Sequence, residues 1–275
     1  MACNTAAVPQ VIDVDDPADP RLDDFRDLTT ADRRPDRPGG RGLVIAEGEV
    51  VVRRLLHSPY PIRSVLGVPR RIAALDDDLP ADLPCYRTSA DVMATVVGFH
   101  LNRGVLAVAD RPLLRPSTDE LVADARVLAV LEGVGDHENL GSIFRNAAGL
   151  GVSGVLLGPG CADPLYRRSV RVSMGNVLRV PFAHVTDWPA ELYRLRDKGF
   201  HVLALTPADD AVPLHKAVVA GRRTAVLLGS EGPGLTGDAL AAADVRVRIP
   251  MADDVDSLNV ATAAAIAFHT LVTCG

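Results

Sequence analysis

Residues 126–151 read RVLAVLEGVGDHENLGSIFRNAAGLG. The first half is an apolar run closed by Gly133 and Gly135. Its length and composition predict a strand buried on both faces. In the second half Leu140, Ile143, Phe144, Ala147 and Ala148 recur at the spacing of one helix face, which predicts a helix over 139–150. A buried strand turning directly into an amphipathic helix is the building unit of a parallel α/β sheet. A plain core helix needs neither Asn139 and Gly141 at its entrance nor Arg145 a turn later. These residues are therefore candidates for chemistry.

The same alternation continues downstream. VSGVLLGPG, HVLALTP, TAVLLGSEG and VRVRIPM read as strands. PAELYRLRDKGF (189–200) and GLTGDALAAA read as helices, and SLNVATAAAIAFHTLV (257–272) as a long closing helix capped by Ser257. Upstream, LVIAEGEVVVRRLL, IRSVLGV, LPCYRT, SADVMATVVGF and GVLAVAD predict a smaller α/β domain. The expected boundaries are an extended arm over 1–34, a first domain over 35–112, a linker over 113–124 in the proline-rich stretch DRPLLRPSTDEL, and a second domain over 125–275.

The chain of 275 residues is 48% hydrophobic and 23% charged, which argues against wholesale disorder. No apolar run approaches the roughly 18 residues of a membrane span, and the N-terminus lacks the order of a signal peptide, so a cytoplasmic protein without membrane contact is expected. Cys3, Cys85, Cys161 and Cys274 form no C-x-x-C pair and suggest neither zinc nor disulfides. The net charge of −6 argues mildly against nucleic acid. The base is nonetheless clustered and almost all arginine, which fits genome composition and phosphate binding equally well.

Three polar clusters fall where the chain leaves a strand: GVGDHENLGSIFR, LLGSEGPGL (227–235) and IPMADDVDSLNVATAAA (249–265). Ligands of open α/β sheets bind at such ends. GSEGPG lacks the order of a dinucleotide fingerprint, neither lysine stands in a P-loop, no G-x-S-x-G is present, and the acids lack metal-site spacing. The run of small residues after Ser257 suits close packing against a neighbour, a ligand at the helix entrance, or both.

Together the clusters resemble the SpoU (TrmH-like) branch of the SPOUT RNA methyltransferases. Asn139, Gly141, Arg145 and Ala147 match its first motif. Gly229, Ser230, Glu231, Gly232 and Gly234 match the second. Ile249, Pro250, Met251, Ser257, Leu258, Asn259, Val260 and Ala263 match the third. The family more often has Ser after Asn-Val; this chain has Ala261 and Thr262, a departure expected to alter packing rather than chemistry. YRRSVRVSMGNVLRVP (166–181) resembles the family's loop between its first two motifs. The first domain resembles the family's substrate-binding extension, which is similar to ribosomal protein L30e.

The resemblance implies a catalytic domain with a deep trefoil knot, S-adenosylmethionine as cofactor with no metal, and methylation of a ribose 2′-hydroxyl. Thr206, Pro207, Gly229, Gly234, Ile249, Met251, Leu258 and Ala263 would hold the cofactor. Arg145 would clamp a substrate phosphate and polarise the hydroxyl, since a guanidinium is a poor base. Asn139 would fix Arg145 or the ribose, Glu231 would orient the network, and Ser257 and Asn259 would hold the hydroxyl or the methionine end. Arg53, Arg54, Arg70, Arg71, Arg167 and Arg168 would grip RNA phosphates. The family pairs through its knotted domains, so a homodimer is expected, with ribosomal RNA as substrate in preference to transfer RNA. A non-catalytic RNA-binding protein and a nucleotide-dependent oxidoreductase using GSEGPG are the alternatives.

Overall fold

The computed structural model describes residues 10–28, 42–111, 116–252 and 255–274. The chain divides into two units, Met1–Leu113 with Leu165–Leu178, and Leu114–Pro164 with Arg179–Gly275.

The first unit is built on β1 (Val11–Asp13), β2 (Leu43–Glu47), α1 (Glu49–Leu56), β3 (Ile62–Gly67), α2 (Pro69–Ala73), β4 (Cys85–Arg87), α3 (Ala90–Val97) and β5 (Val105–Asp110). Its sheet runs β1-β4-β3-β5-β2. β1 and β3 lie parallel to β4, whereas β5 is antiparallel to β3 and β2.

Residues 10–28 depart from the expected extended arm; the rest of that arm lies outside the described residues. β1 adds a strand to the sheet, and Leu22, Phe25 and Leu28 are buried in the unit's core. Two of the segment's acids are matched by arginines from further along the chain. Arg87 pairs with Asp13 at 2.6 Å and Arg63 with Asp24 at 2.8 Å. Apolar residues at 22, 25 and 28 give the segment something to bury, which composition alone hid.

The second unit contains α4 (Thr118–Ala123), β6 (Val127–Leu131), α5 (His137–Gly149) and β7 (Gly154–Leu157). After α6 (Arg167–Val172), which falls in the first unit, follow β8 (Phe182–His184), α7 (Ala190–Asp197), β9 (His201–Leu205), β10 (Val212–Pro213) and α8 (Leu214–Ala217). β11 (Thr224–Leu228), α9 (Gly237–Ala242), β12 (Val245–Arg248) and α10 (Val260–Cys274) complete it. The expected linker is partly a helix. Ser117 and Glu120 form a capping box on α4, whose Leu121 and Val122 enter the core; residues 113–115 lie outside the described set.

Seven strands form one sheet in the order β10-β12-β9-β11-β6-β7-β8, every pair parallel. From β6 the chain builds outward through β7 and β8, then returns to the other side for the remaining strands. The strand order thus reverses beside β6, where such sheets open a crevice. β11 is buried at every residue and β6 at all but its first. On α5, Leu140, Ile143, Phe144 and Ala147 are fully buried, each large side chain contributing about 2 kcal/mol. α5 packs against α10, where Ala264 and Ala267 let the helices approach and Asn146 Nδ2 donates to Ala261 O at 2.9 Å. Among the described residues no helix is long and apolar enough to cross a membrane.

Candidate active site

Three strand ends meet at the crevice. Beyond β6, Gly133 takes a left-handed turn (φ 70°) and Asp136 caps α5, accepting from the N–H groups of Glu138 and Asn139 at 2.7 and 2.9 Å. Because Asp136 does the capping, the Asn139 amide is left for other work.

Beyond β11, residues 230–234 close on themselves. Gly234 N–H donates to Ser230 O and Ser230 Oγ to Gly234 O, both at 3.2 Å, with Gly232 and Gly234 at positive φ. Gly229 sits beneath this loop. A Cβ there would lie 2.5 Å from Gly234 C and Leu235 N, so the backbone itself excludes any side chain.

Beyond β12, Ile249 and Met251 lead towards α10. The expected Ser257 cap is corrected: α10 is capped by Asn259, whose Oδ1 accepts from Ala261 N and Thr262 N at 2.9 and 3.2 Å. Asparagine two residues later reaches the free N–H groups of the first turn, and Ser257 lines a cavity instead. Ala261 and Thr262 contribute backbone N–H groups, which any residue there would supply.

Asn259 joins the three clusters. Its Nδ2 donates to Asn139 Oδ1 at 2.8 Å and to Glu231 Oε1 at 2.7 Å, while Oδ1 holds the helix. Both donors and both lone pairs are engaged, which fixes the amide's orientation.

A cavity of about 310 Å³ lies beside this junction. It is lined by all eight residues expected at a cofactor: Thr206, Pro207, Gly229, Gly234, Ile249, Met251, Leu258 and Ala263. Glu231, Ser257 and Asn259 line it as well, together with Leu205, Leu228, Ser230, Gly232 and Val260. A second cavity, of about 220 Å³, is lined by Gly133 to Asp136 and Asn139, and shares Ser230, Glu231 and Val260 with the first.

Arg145 lines neither cavity. It is exposed on α5 and makes no ion pair or hydrogen bond among the described residues.

The arginines expected at RNA behave differently from one another. Arg53 is held by Asp78 at 2.6 Å and Glu49 at 3.3 Å, and Arg71 by Glu49 at 3.2 Å. Arg54 donates to Met174 O. Arg167 lies over the Phe99 ring at 4.9 Å and within 3.6 Å of Glu47, and burial pushes its guanidinium pKa down. Arg70 and Arg168 are exposed, and Arg70 has no partner among the described residues.

Sequence reasoning missed Glu132. It is 4% exposed, yet its carboxylate accepts from Trp188 Nε1 (2.7 Å), Thr236 Oγ1 (2.8 Å) and Thr236 N (2.9 Å). The available signal was a glutamate ending an apolar strand. The Cys161 thiol is pushed up to about 11 by burial, so it is protonated at neutral pH. Among the described residues no cluster of His, Cys, Asp or Glu could hold a metal ion.

The pattern of the SpoU rRNA Methylase family matches residues 126–269, which include the whole junction. The chain belongs to the SpoU rRNA methylase family. It is 60% identical over 268 residues to an uncharacterised tRNA/rRNA methyltransferase of Mycobacterium tuberculosis, covering 96% of this chain and 93% of that one. A second SpoU-like relative, the 23S rRNA (guanosine(2553)-2′-O)-methyltransferase RlmP of Bacillus subtilis, is 28% identical over 82% of this chain and 87% of its own. The fold is shared with an AdoMet-bound rRNA methyltransferase from Sinorhizobium meliloti, with a TM-score of 0.79 at 24% identity over 95% of this chain and 97% of that one.

Proposed function

We propose that the protein transfers a methyl group from S-adenosylmethionine to a ribose 2′-hydroxyl of ribosomal RNA. The observation that carries this is the Asn259 junction, which joins Asn139 and Glu231 on the wall between two adjoining cavities. A transfer between two bound molecules needs two sites that adjoin, so that the reacting atoms can meet in line. The relatives named as rRNA methyltransferases support the reading.

The residues of the larger cavity fit the cofactor. Its volume lies at the small end of small-molecule sites, roughly 300–1,000 Å³. Ile249 and Leu258 offer apolar surface for a base, Gly229 lets the 230–235 loop fold tightly beside the cavity, and the Glu231 carboxylate suits a cation. Bound there, S-adenosylmethionine supplies a methyl group on an electrophilic sulfonium.

The smaller cavity takes the acceptor ribose. Asn139 Oδ1 is held by Asn259, so its Nδ2 is left to donate to a ribose oxygen. Glu231 Oε1 is likewise held, which leaves Oε2 to accept from the reacting hydroxyl and align it.

Arg145 is permanently cationic, so it clamps a phosphate rather than removing a proton. It lines neither cavity of its own chain, which supports a homodimer in which it serves the partner's site. The deep knot, the L30e-like character of the first unit and RNA contact through Arg70 and Arg168 belong to the same reading.

The test is transfer of labelled methyl from S-adenosylmethionine to ribosomal and transfer RNA, followed by nucleoside analysis. The expected product is a 2′-O-methylnucleoside in ribosomal RNA. Label on a base, label confined to transfer RNA, or RNA binding indifferent to the cofactor would each replace the reading. Mixing two inactive variants, Arg145→Ala and Leu258→Arg, should restore part of the activity if Arg145 acts across the dimer.

A further inference from the structure

Glu132 lies in neither cavity, and the reading above gives it no part. Its burial is unusual for a carboxylate, which is almost never found fully buried without partners. The partners it has are informative. Thr236 ends the 229–235 loop and caps α9, its Oγ1 accepting from Ala239 N at 3.3 Å. Two of the three donors to Glu132 come from this one residue, so the carboxylate pins the point where the loop leaves the crevice.

At the same time the Glu132 N–H donates to Leu228 O at 2.9 Å, fixing where the loop begins. Both ends of the loop are therefore tied to a single residue. The neighbouring Gly133 adds a third restraint, since a Cβ there would lie 3.0 Å from Ser230 Cβ. The third donor, Trp188, stacks where Gly158 leaves β7, and a Cβ at Gly158 would meet its ring at 3.0 Å.

We propose that Glu132 is the positioning residue of the donor cavity: it holds the 229–235 loop in the shape that binds S-adenosylmethionine, without touching the ligand. The proposal rests on the cofactor reading above. Hydrogen bonds to a buried charge are strong, and losing an acceptor strands buried donors. Glu132→Gln keeps the side-chain volume. Its amide keeps one acceptor oxygen, which can serve Trp188 and the Thr236 hydroxyl, but sets an NH2 against the Thr236 N–H, a donor facing a donor, so the loop must shift. Shape at Gly229 and Ser230 then changes while the residues lining the acceptor cavity through α5 keep their places.

The experiment is calorimetric binding of S-adenosylmethionine to the full chain, wild type and Glu132→Gln, at a temperature where circular dichroism shows both folded. Leu195→Ala, a fully buried core residue away from the crevice, is the control for lost stability. Glu132→Gln is expected to raise Kd about tenfold or more, and to raise KM for the cofactor more than KM for RNA, which the loop touches only through Ser230 and Glu231. Leu195→Ala is expected to lower Tm and leave Kd as in wild type. Unchanged Kd in Glu132→Gln overturns the proposal, as does a Kd that follows Tm equally in both variants. Should Glu132→Gln fail to fold, Thr236→Val decides by the same criterion, with Thr236→Ser restoring wild-type Kd. If wild type itself binds no cofactor, the cofactor reading falls and takes this proposal with it.

Discussion

The two units hold their polar residues in contrasting ways. In the second, Asn139, Glu231 and Asn259 come from distant positions and meet in one hydrogen-bonded junction beside two cavities. In the first, Arg53, Arg71 and Arg167 are held by acids or an aromatic ring of their own unit. The first group was selected by resemblance to a family's motifs and their spacing, the second by charge. Spacing reports a constraint shared among several residues. Charge says nothing of whether a counter-ion waits across the fold, and exposed ion pairs are common and weak.

Gly229→Ala should break the second unit's side of this contrast most severely. The new Cβ would strike the Gly234–Leu235 backbone, and displacing the loop by about 1 Å is expected to lower methyl transfer more than about 100-fold. Cofactor calorimetry should show binding lost, while circular dichroism shows the sheet retained.

Asn259→Ala should follow. It removes a helix cap, about 1 kcal/mol of stability, and the donors to Asn139 and Glu231. Single-turnover transfer is expected to fall about 30-fold. A loss confined to Tm would mean that Asn259 serves only the helix.

In the first unit the effects are smaller and divide by partner. Arg70→Ala should weaken RNA binding by about threefold at low salt and reduce the salt slope by about one. Arg53→Ala, which removes its ion pairs to Asp78 and Glu49, should lower Tm slightly and leave RNA affinity unchanged. Equal effects on RNA would erase the distinction between paired and unpaired arginines.

The smallest effect is on pH dependence. Burial, with the Arg222 charge nearby, holds the His201 imidazole below its ordinary pKa of 6.5, against the pull of Asp244. The unfolded chain therefore binds the proton more readily. Stability should be full above pH 6.5 and decline as pH falls from there through the lowered folded value. His201→Gln should flatten that part of a Tm-against-pH curve.

Much of this was legible from sequence. Apolar runs marked the buried strands, and the expected cofactor residues all reached one cavity. The order of strands in the sheet was not legible, because a parallel strand carries no mark of its neighbours. Residues 10–28 were read as an arm since their acids outweighed three spaced apolar residues, and their arginine partners at 63 and 87 lie far along the chain. The capping box at Ser117 was hidden by the prolines before it. Ser257 was read as the cap because serine suits the role, and only geometry shows that the Asn259 side-chain oxygen reaches the first turn. Glu132 was passed over because nothing in its neighbourhood shows that Trp188 and Thr236 converge on it.

The Asn259 amide also orders events in time. Its partners Asn139 and Glu231 precede it by 120 and 28 residues. On the ribosome, the sheet through β12 can be complete while the wall formed by residues 257–263 does not yet exist. However early the strands pair, the donor cavity cannot close until residues 257–263 have been made.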